Sequence, residues 1–177
     1  MGDLFVYHGD ITKLNVDAIV NAANENLLGS GGVDGAIHSA AGPELLEASQ
    51  RLAPCPTGEA RLTPGFRLQA RFVIHAVGPI YQDGNFGERE SLQKTYRSAL
   101  QIAESNRFES IAFPCISTGA YGYPQEEASE LAVESVCEWL LEKMFPKKVL
   151  FCCFESRDVN LYSRLLDVLG ITEYRIQ

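Results

Sequence analysis

The sequence predicts a three-layer α/β/α sandwich around a mainly parallel sheet. Three observations carry this. Short apolar, β-branched runs alternate with stretches of helical spacing, the signature of strands joined by crossover helices. The 177 residues are one ordinary domain's worth of chain. At that size roughly 70% of the open chain's surface can be buried, so the core needs no metal or disulfide framework. No internal repeat, low-complexity tract or linker interrupts the pattern, so residues 1–177 are expected to form a single domain.

Leu4 to Tyr7 reads as the first strand and Ala18 to Val20 as the second. Val33 to Leu52 reads as helix, broken at Gly42-Pro43. Thr57 to Thr63 is extended and more polar, an edge strand. Phe72 to Val77 is a strand ending at Gly78-Pro79, and Tyr81 to Gly87 is an irregular surface loop. Glu88 to Asn106 has helical spacing through Leu92, Tyr96, Leu100 and Ala103. Ser110 to Ile116 is a strand. Gln125 to Met144 is an amphipathic helix whose expected buried face is Leu131, Val133, Val136, Leu140 and Leu141. Val149 to Phe154 is a strand, Asn160 to Leu169 a helix, and Thr172 to Ile176 a last strand.

Charge narrows the function. There are 15 Lys and Arg against 23 Asp and Glu, a net −8, and the longest basic run is Lys147-Lys148. A protein that grips a polyanion needs a basic face, so nucleic acid and anionic membranes are not expected partners. A phosphate-bearing ligand would have to be held by backbone amides and helix ends. No stretch approaches the roughly 18 apolar residues of a membrane span. Met1 to Val6 lacks the basic and apolar regions of a signal peptide. The five cysteines, Cys55, Cys115, Cys137, Cys152 and Cys153, are odd in number and lack metal-like spacing. They read as buried free thiols in a reducing cytoplasm.

In folds of this class ligands bind where strands end and helices begin. Two places qualify. One is Asn21-Ala22-Ala23-Asn24 followed by the glycine-rich Gly29 to Gly35; the other is Ser117 to Gly122. The first misses the dinucleotide fingerprint at Asp34, and no Gly-Lys pair exists for a P-loop. Asp34 reads either as a first-turn carboxylate favoured by the helix dipole or as an acid or base beside an anion loop. His38 follows it by one helical turn and shares its face. His75, inside an apolar strand, reads as a satisfied core histidine. Nothing matches a zinc motif. Asp10 reads as a turn aspartate or as an acceptor for a base amino group, and Phe154 as core or as a stacking surface. Ser117 is not in a nucleophile elbow, since position 115 is Cys; that cysteine reads as buried and inert. Gln125-Glu126-Glu127 reads as a helix start.

Taken together, Gly9 to Thr12, Asp17 to Asn24, Gly31 to His38 with Ala40-Ala41-Gly42, Gly58-Glu59-Ala60 with Thr63 and Gly65, Ile74-His75 with Val77-Gly78-Pro79, and Phe113 to Pro124 resemble the macro domain family. Within it they are similar to the MacroD-like branch of ADP-ribosyl hydrolases, over nearly the whole chain. The resemblance implies a mixed, mostly parallel sheet and a cleft for ADP-ribose. It implies that Asp10 accepts from the adenine amino group beside the Ile11 amide, and that Phe154 stacks on adenine. It implies that Gly31, Gly32 and Val33, with Ser117, Thr118, Gly119, Ala120 and Tyr121, wrap the diphosphate and distal ribose, with Ala22 nearby. Asn24 and Asp34 would position and activate water, with His38 behind Asp34. Ser30 stands where many relatives have glycine, a departure expected to alter loop mobility. The Gln-Glu-Glu of the poly-ADP-ribose glycohydrolase branch lies close after its glycines; here the tripeptide is far downstream and takes no catalytic role.

The function so implied is hydrolysis of ADP-ribose esters, either O-acetyl-ADP-ribose or mono-ADP-ribose on Asp and Glu of proteins, with no metal and no cofactor. Two alternatives stand beside it: a reader that binds ADP-ribose without turnover, and a phosphatase acting on ADP-ribose 1″-phosphate.

Overall fold

The computed structural model describes residues 2–171, so the strand expected over 172–176 lies outside the described residues. One sheet holds β1 (Asp3–His8), β2 (Ala18–Ala23), β3 (Ala60–Pro64), β4 (Phe72–Val77), β5 (Ser110–Phe113) and β6 (Lys148–Cys153). The spatial order is β1-β6-β5-β2-β4-β3. Neighbours run parallel except β3, which pairs antiparallel with β4 at the edge. The helices are α1 (Gly32–Ala41), α2 (Pro43–Gln50), α3 (Glu88–Ser105), α4 (Gln125–Glu142) and α5 (Ser156–Val168).

The central strands are mostly apolar because both faces are covered; inside β2 and β4 only Asn21 and His75 break the runs. Alternate residues feed two cores. Ala18, Val20, Ile74, Ile111, Phe113, Val149 and Phe151 pack with the buried faces of α3, α4 and α5. Ile19, Val73, Ala112 and Leu150 pack instead with Ile37 and Ala41 of α1 and Leu45 of α2. The α4 stripe holds for Leu131, Val133, Val136 and Leu140, but Leu141 is exposed. It falls outside the arc that α4 turns toward the sheet.

Several boundaries differ from expectation. The break at Gly42-Pro43 is real: Gly42, at φ 87°, ends α1 and Pro43 opens α2, a division suited to each residue. The β5 strand stops at Phe113, because Pro114 has no N–H for the ladder. The α5 helix starts four residues early, at Ser156; Asp158 in its first turn suits a helix N-terminus. The edge strand is shifted to Ala60–Pro64. The stretch from Tyr81 to Gly87 is the irregular surface loop expected, and it is tied to the start of α3. The amides of Gln82, Gly84 and Phe86 all donate to the Glu88 carboxylate. Burial works against that charge, yet these amides win and draw its pKa down to about 2.

All strands but β3 are parallel, so their carboxyl ends share one edge. The segments leaving β1, β2, β4, β5 and β6 converge there.

Candidate active site

A cavity of about 790 Å³ opens at that edge. It is lined by Gly9 to Ile11 after β1, Ala22 to Asn24 at the end of β2, and Ser30 to Asp34 at the start of α1. Gly78 after β4, Pro114 to Tyr121 after β5, and Phe154, Glu155 and Asp158 after β6 complete the wall. Every expected ligand-contacting residue therefore lies on one surface: Asp10, Ile11, Ala22, Gly31, Gly32, Val33, Ser117 to Tyr121 and Phe154. Asn24 and Asp34 lie there too, whereas His38 stands behind the wall.

No Lys, Arg or His is among the described lining residues; the charged ones are Asp10, Asp34, Glu155 and Asp158. An anion here must be held by N–H groups. The α1 helix supplies some, for Gly31 is its N-cap and no side chain caps it. First-turn amides have no acceptor within their own helix. The second loop is wound tightly. Ser117 adopts φ 67°, a conformation non-glycine residues seldom hold. The turn is closed by Tyr123 N–H donating to Ser117 O and Gly122 N–H to Gly119 O. Gly78 permits the approach of β4, since a Cβ there would meet the Ser117 hydroxyl and Ile116. Ser117 Oγ and Asn24 Oδ1 are buried with no partner among the described residues. An unsatisfied buried group costs about 1–3 kcal/mol, which a ligand donor or acceptor in the cavity would offset.

At one end of the cavity Asp34 is only 3% exposed. Asn21 Nδ2 donates to its Oδ1 at 2.8 Å and Ser30 Oγ to its Oδ2 at 2.9 Å. His38 Nε2 lies 3.3 Å from Oδ1. Asn21 and Ser30 were not singled out as partners of the carboxylate. Ser30 does more than change loop mobility, because its hydroxyl engages Asp34. A signal for Asn21 exists in the sequence: it is the one polar residue in the apolar run Ala18–Ala23. His75 is the core histidine expected, with Nδ1 3.2 Å from Asn21 Nδ2 and Nε2 2.9 Å from Thr63 Oγ1. Burial, reinforced by His38, lowers its pKa to about 3, so the ring is neutral.

At the other end the Phe154 ring is 81% exposed, which removes its reading as core. Asp10 is a turn aspartate, its Oδ1 accepting from Thr12 N–H and Oγ1, and it also borders the cavity. Cys115 is half-buried on the cavity wall, not the buried thiol expected, because it lies past the end of β5 in the turn toward Ser117. Cys137 is half-buried as well, whereas Cys55, Cys152 and Cys153 are buried. Burial pushes the Cys152 thiol up to about 12, helped by Cys115 and Asp10. Gln125-Glu126-Glu127 is the first turn of α4. Among the described residues no His, Cys, Asp and Glu are grouped to hold a metal ion, and no helix is long and apolar enough to cross a membrane.

The chain as a whole has recognisable relatives. A family model described as the Macro domain matches residues 20–132. A macro domain-containing protein of Chlorobaculum tepidum is 56% identical over 157 residues, 89% of this chain and 91% of its own. A Salmonella gallinarum protein named O-acetyl-ADP-ribose deacetylase is 52% identical over 171 residues, 94% of this chain and 96% of its own. Among solved structures, a variant of the Oceanobacillus iheyensis macrodomain with ADPR superposes with a TM-score of 0.90 at 44% identity, covering 94% of this chain and 93% of that one. The chain belongs to the macro domain family.

Proposed function

We propose that the protein is a hydrolase that releases ADP-ribose from esters, removing acetate from O-acetyl-ADP-ribose and ADP-ribose from Asp and Glu side chains. The observation that carries this is Asp34, a nearly buried carboxylate beside the amide-rich start of α1. The names of the deacetylases that are about half identical to this chain support the same substrate class.

ADP-ribose would lie with its adenine against Phe154 and Asp10 and its diphosphate across the amides of Gly31 to Val33 and Ser117 to Tyr121. Asn24 would hold the distal ribose. An ionised carboxylate offers about four acceptor positions. Asn21, Ser30 and the nearby His38 account for three, which leaves one on Oδ2 for a water. That water attacks the ester carbonyl, its proton passes to Asp34 or to the substrate's own phosphate with Asp34 orienting it, and the ribose oxygen leaves with a proton. Tyr121 borders this end, its phenol kept protonated by burial and by the charges of Glu25 and Asp34. The free thiols fit a cytoplasmic protein.

The rival reading is a reader without turnover. It draws on Ser30, whose hydroxyl already occupies Asp34 Oδ2. Incubating the purified protein with O-acetyl-ADP-ribose and following free acetate separates the two. Release of many equivalents of acetate per protein supports the hydrolase. Tight ADP-ribose binding with no acetate supports the reader, and phosphate release from ADP-ribose 1″-phosphate would mark a phosphatase.

A further inference from the structure

We propose that His75 and Thr63 are positioning residues for Asp34, acting through Asn21 as one hydrogen-bonded chain buried beneath α1. The inference rests on the reading of Asp34 as the group that handles the attacking water.

The chain crosses three neighbouring strands. Asn21 on β2 and His75 on β4 are register partners, and Thr63 on β3 pairs with Val73, one step diagonal to His75. Side chains alternate between sheet faces. Ile19 and Val73 pack under α1 and α2, so Asn21 and His75, two residues further along, share that face. Thr63 joins them through its contact with His75. Asn21 and His75 are 0% exposed and Thr63 is 2% exposed. Three polar side chains thus occupy a layer where apolar ones would pack without any desolvation cost.

One proton arrangement satisfies all their contacts. A carboxylate only accepts, so the Asn21 amide must turn its Nδ2 toward Asp34. The second Nδ2 hydrogen points at His75 Nδ1, which must then be the bare nitrogen. Nε2 carries the proton and donates it to Thr63 Oγ1. A protonated ring would set an N–H against the N–H of Asn21, so the neutral ring described above is what the chain needs. On its other side Asn21 Oδ1 is buried with no partner among the described residues. Nothing there holds the amide in place. Besides Asp34, His75 is the one group among the described residues that discriminates between its two orientations. Without His75 the amide is held by Asp34 alone, and the N–H that fixes Asp34 Oδ1 is less firmly aimed.

The test compares Thr63→Val, Thr63→Ser, His75→Leu and His75→Asn with the wild type and Asp34→Ala. Acetate release gives kcat and KM, calorimetry gives ADP-ribose affinity, and circular dichroism reports the fold. Thr63→Val and His75→Leu are expected to lower kcat about ten- to a hundredfold, taking as a guide the range seen when the partner that orients a metal ligand is removed. ADP-ribose affinity should stay within about twofold, because neither residue reaches the cavity. Thr63→Ser keeps the hydroxyl, and His75→Asn keeps an acceptor facing Asn21; both should recover most of the loss. Spectra of ¹⁵N-histidine protein should show His75 as the Nε2–H tautomer, with signals that move in Asp34→Asn.

Folded Thr63→Val and His75→Leu proteins with wild-type kcat, beside an inactive Asp34→Ala, would overturn the positioning role and leave the hydrolase reading intact. If Asp34→Ala keeps turnover, the reading of Asp34 fails instead. An Nδ1–H tautomer at His75 overturns the chain whatever the kinetics, and it decides the case if the His75 variants do not fold.

Discussion

At the Asp34 end of the cleft the polar side chains are tied to one another. Asn21 and Ser30 donate to the carboxylate, His38 stands 3.3 Å away, and His75 and Thr63 continue the network into the sheet. At the Phe154 end the ring stands almost free in solvent, and Asp10 spends one oxygen closing its own turn. The buried end has its geometry set before a ligand arrives, as a site of chemistry requires. The open end offers a flat aromatic face and one acceptor, which is enough to hold a base but not to direct a reaction. On the proposed reading, the difference would put turnover at one end and affinity at the other.

The sharpest way to break that division is Asp34→Ala. Loss of a general base costs about 10²–10⁴-fold in rate, so acetate release should fall by that much. ADP-ribose affinity should change little or tighten, since a carboxylate is removed from beside the diphosphate loops. Both quantities measured on one preparation decide it. Near wild-type turnover would return Asp34 to the role of a helix-start carboxylate.

Phe154→Ala should do the converse. A base–aromatic stack is worth on the order of 1–3 kcal/mol, so ADP-ribose affinity should drop roughly ten- to a hundredfold. At saturating substrate kcat should hold, and the fold should survive because the ring is exposed. Unchanged affinity by calorimetry would take Phe154 out of the site, and a matching loss of kcat would erase the distinction between the two ends.

The loops that line the cleft, with Asp34 and His38, were legible in the sequence, and the partners of Asp34 within the sheet were not, for a physical reason. Gly31 to Val33 and Ser117 to Tyr121 follow apolar runs directly, so a local rule about strand ends finds them. Phe154 is likewise the first residue past β6. The partnership of Asn21, His75 and Thr63 spans segments up to 54 positions apart. It exists only once β2, β4 and β3 are paired in register. What the chain does show is a polar residue breaking each of two apolar runs, Ala18–Ala23 and Phe72–Val77. Reading those two interruptions as partners requires the strand order. The loop before Glu88 was read correctly, but the hold of Glu88 on it was missed similarly, because a carboxylate collecting three amides leaves no periodic signal.

Acid should strain the buried end. His75 has a pKa near 6.5 when unfolded and about 3 when folded. Below about pH 6.5 the unfolded chain takes up a proton that the folded chain refuses. Stability is therefore full above that pH and falls toward pH 3, by up to about 1.4 kcal/mol per pH unit. Glu88 adds a loss only below its ordinary 4.5, down to about 2, so it is silent from pH 6.5 to 5, and the difference between wild type and His75→Asn there reports the histidine. Urea unfolding across that interval should show a decline in the wild type that flattens in His75→Asn. Equal slopes would mean that His75 is not held neutral.

Salt should matter least, and mostly for want of cations. Tight phosphate binding through Lys and Arg releases counterions, and affinity then collapses as salt rises. Here no described lining residue is basic, and four carboxylates border the cavity. Neutral amides bind without releasing condensed ions. Raising salt screens the repulsion between those carboxylates and the diphosphate, which opposes any loss of affinity. Between about 50 and about 200 mM salt the ADP-ribose dissociation constant should move by less than about threefold. The same insensitivity should persist in Phe154→Ala, because stacking is uncharged. In Asp34→Ala the small benefit of screening should shrink, because one of the repelling charges is gone. Calorimetric titration of the three proteins at both salt concentrations measures this. A loss approaching a hundredfold in the wild type would mean that cationic side chains grip the diphosphate, and the amide cradle at the start of α1 would have to be abandoned.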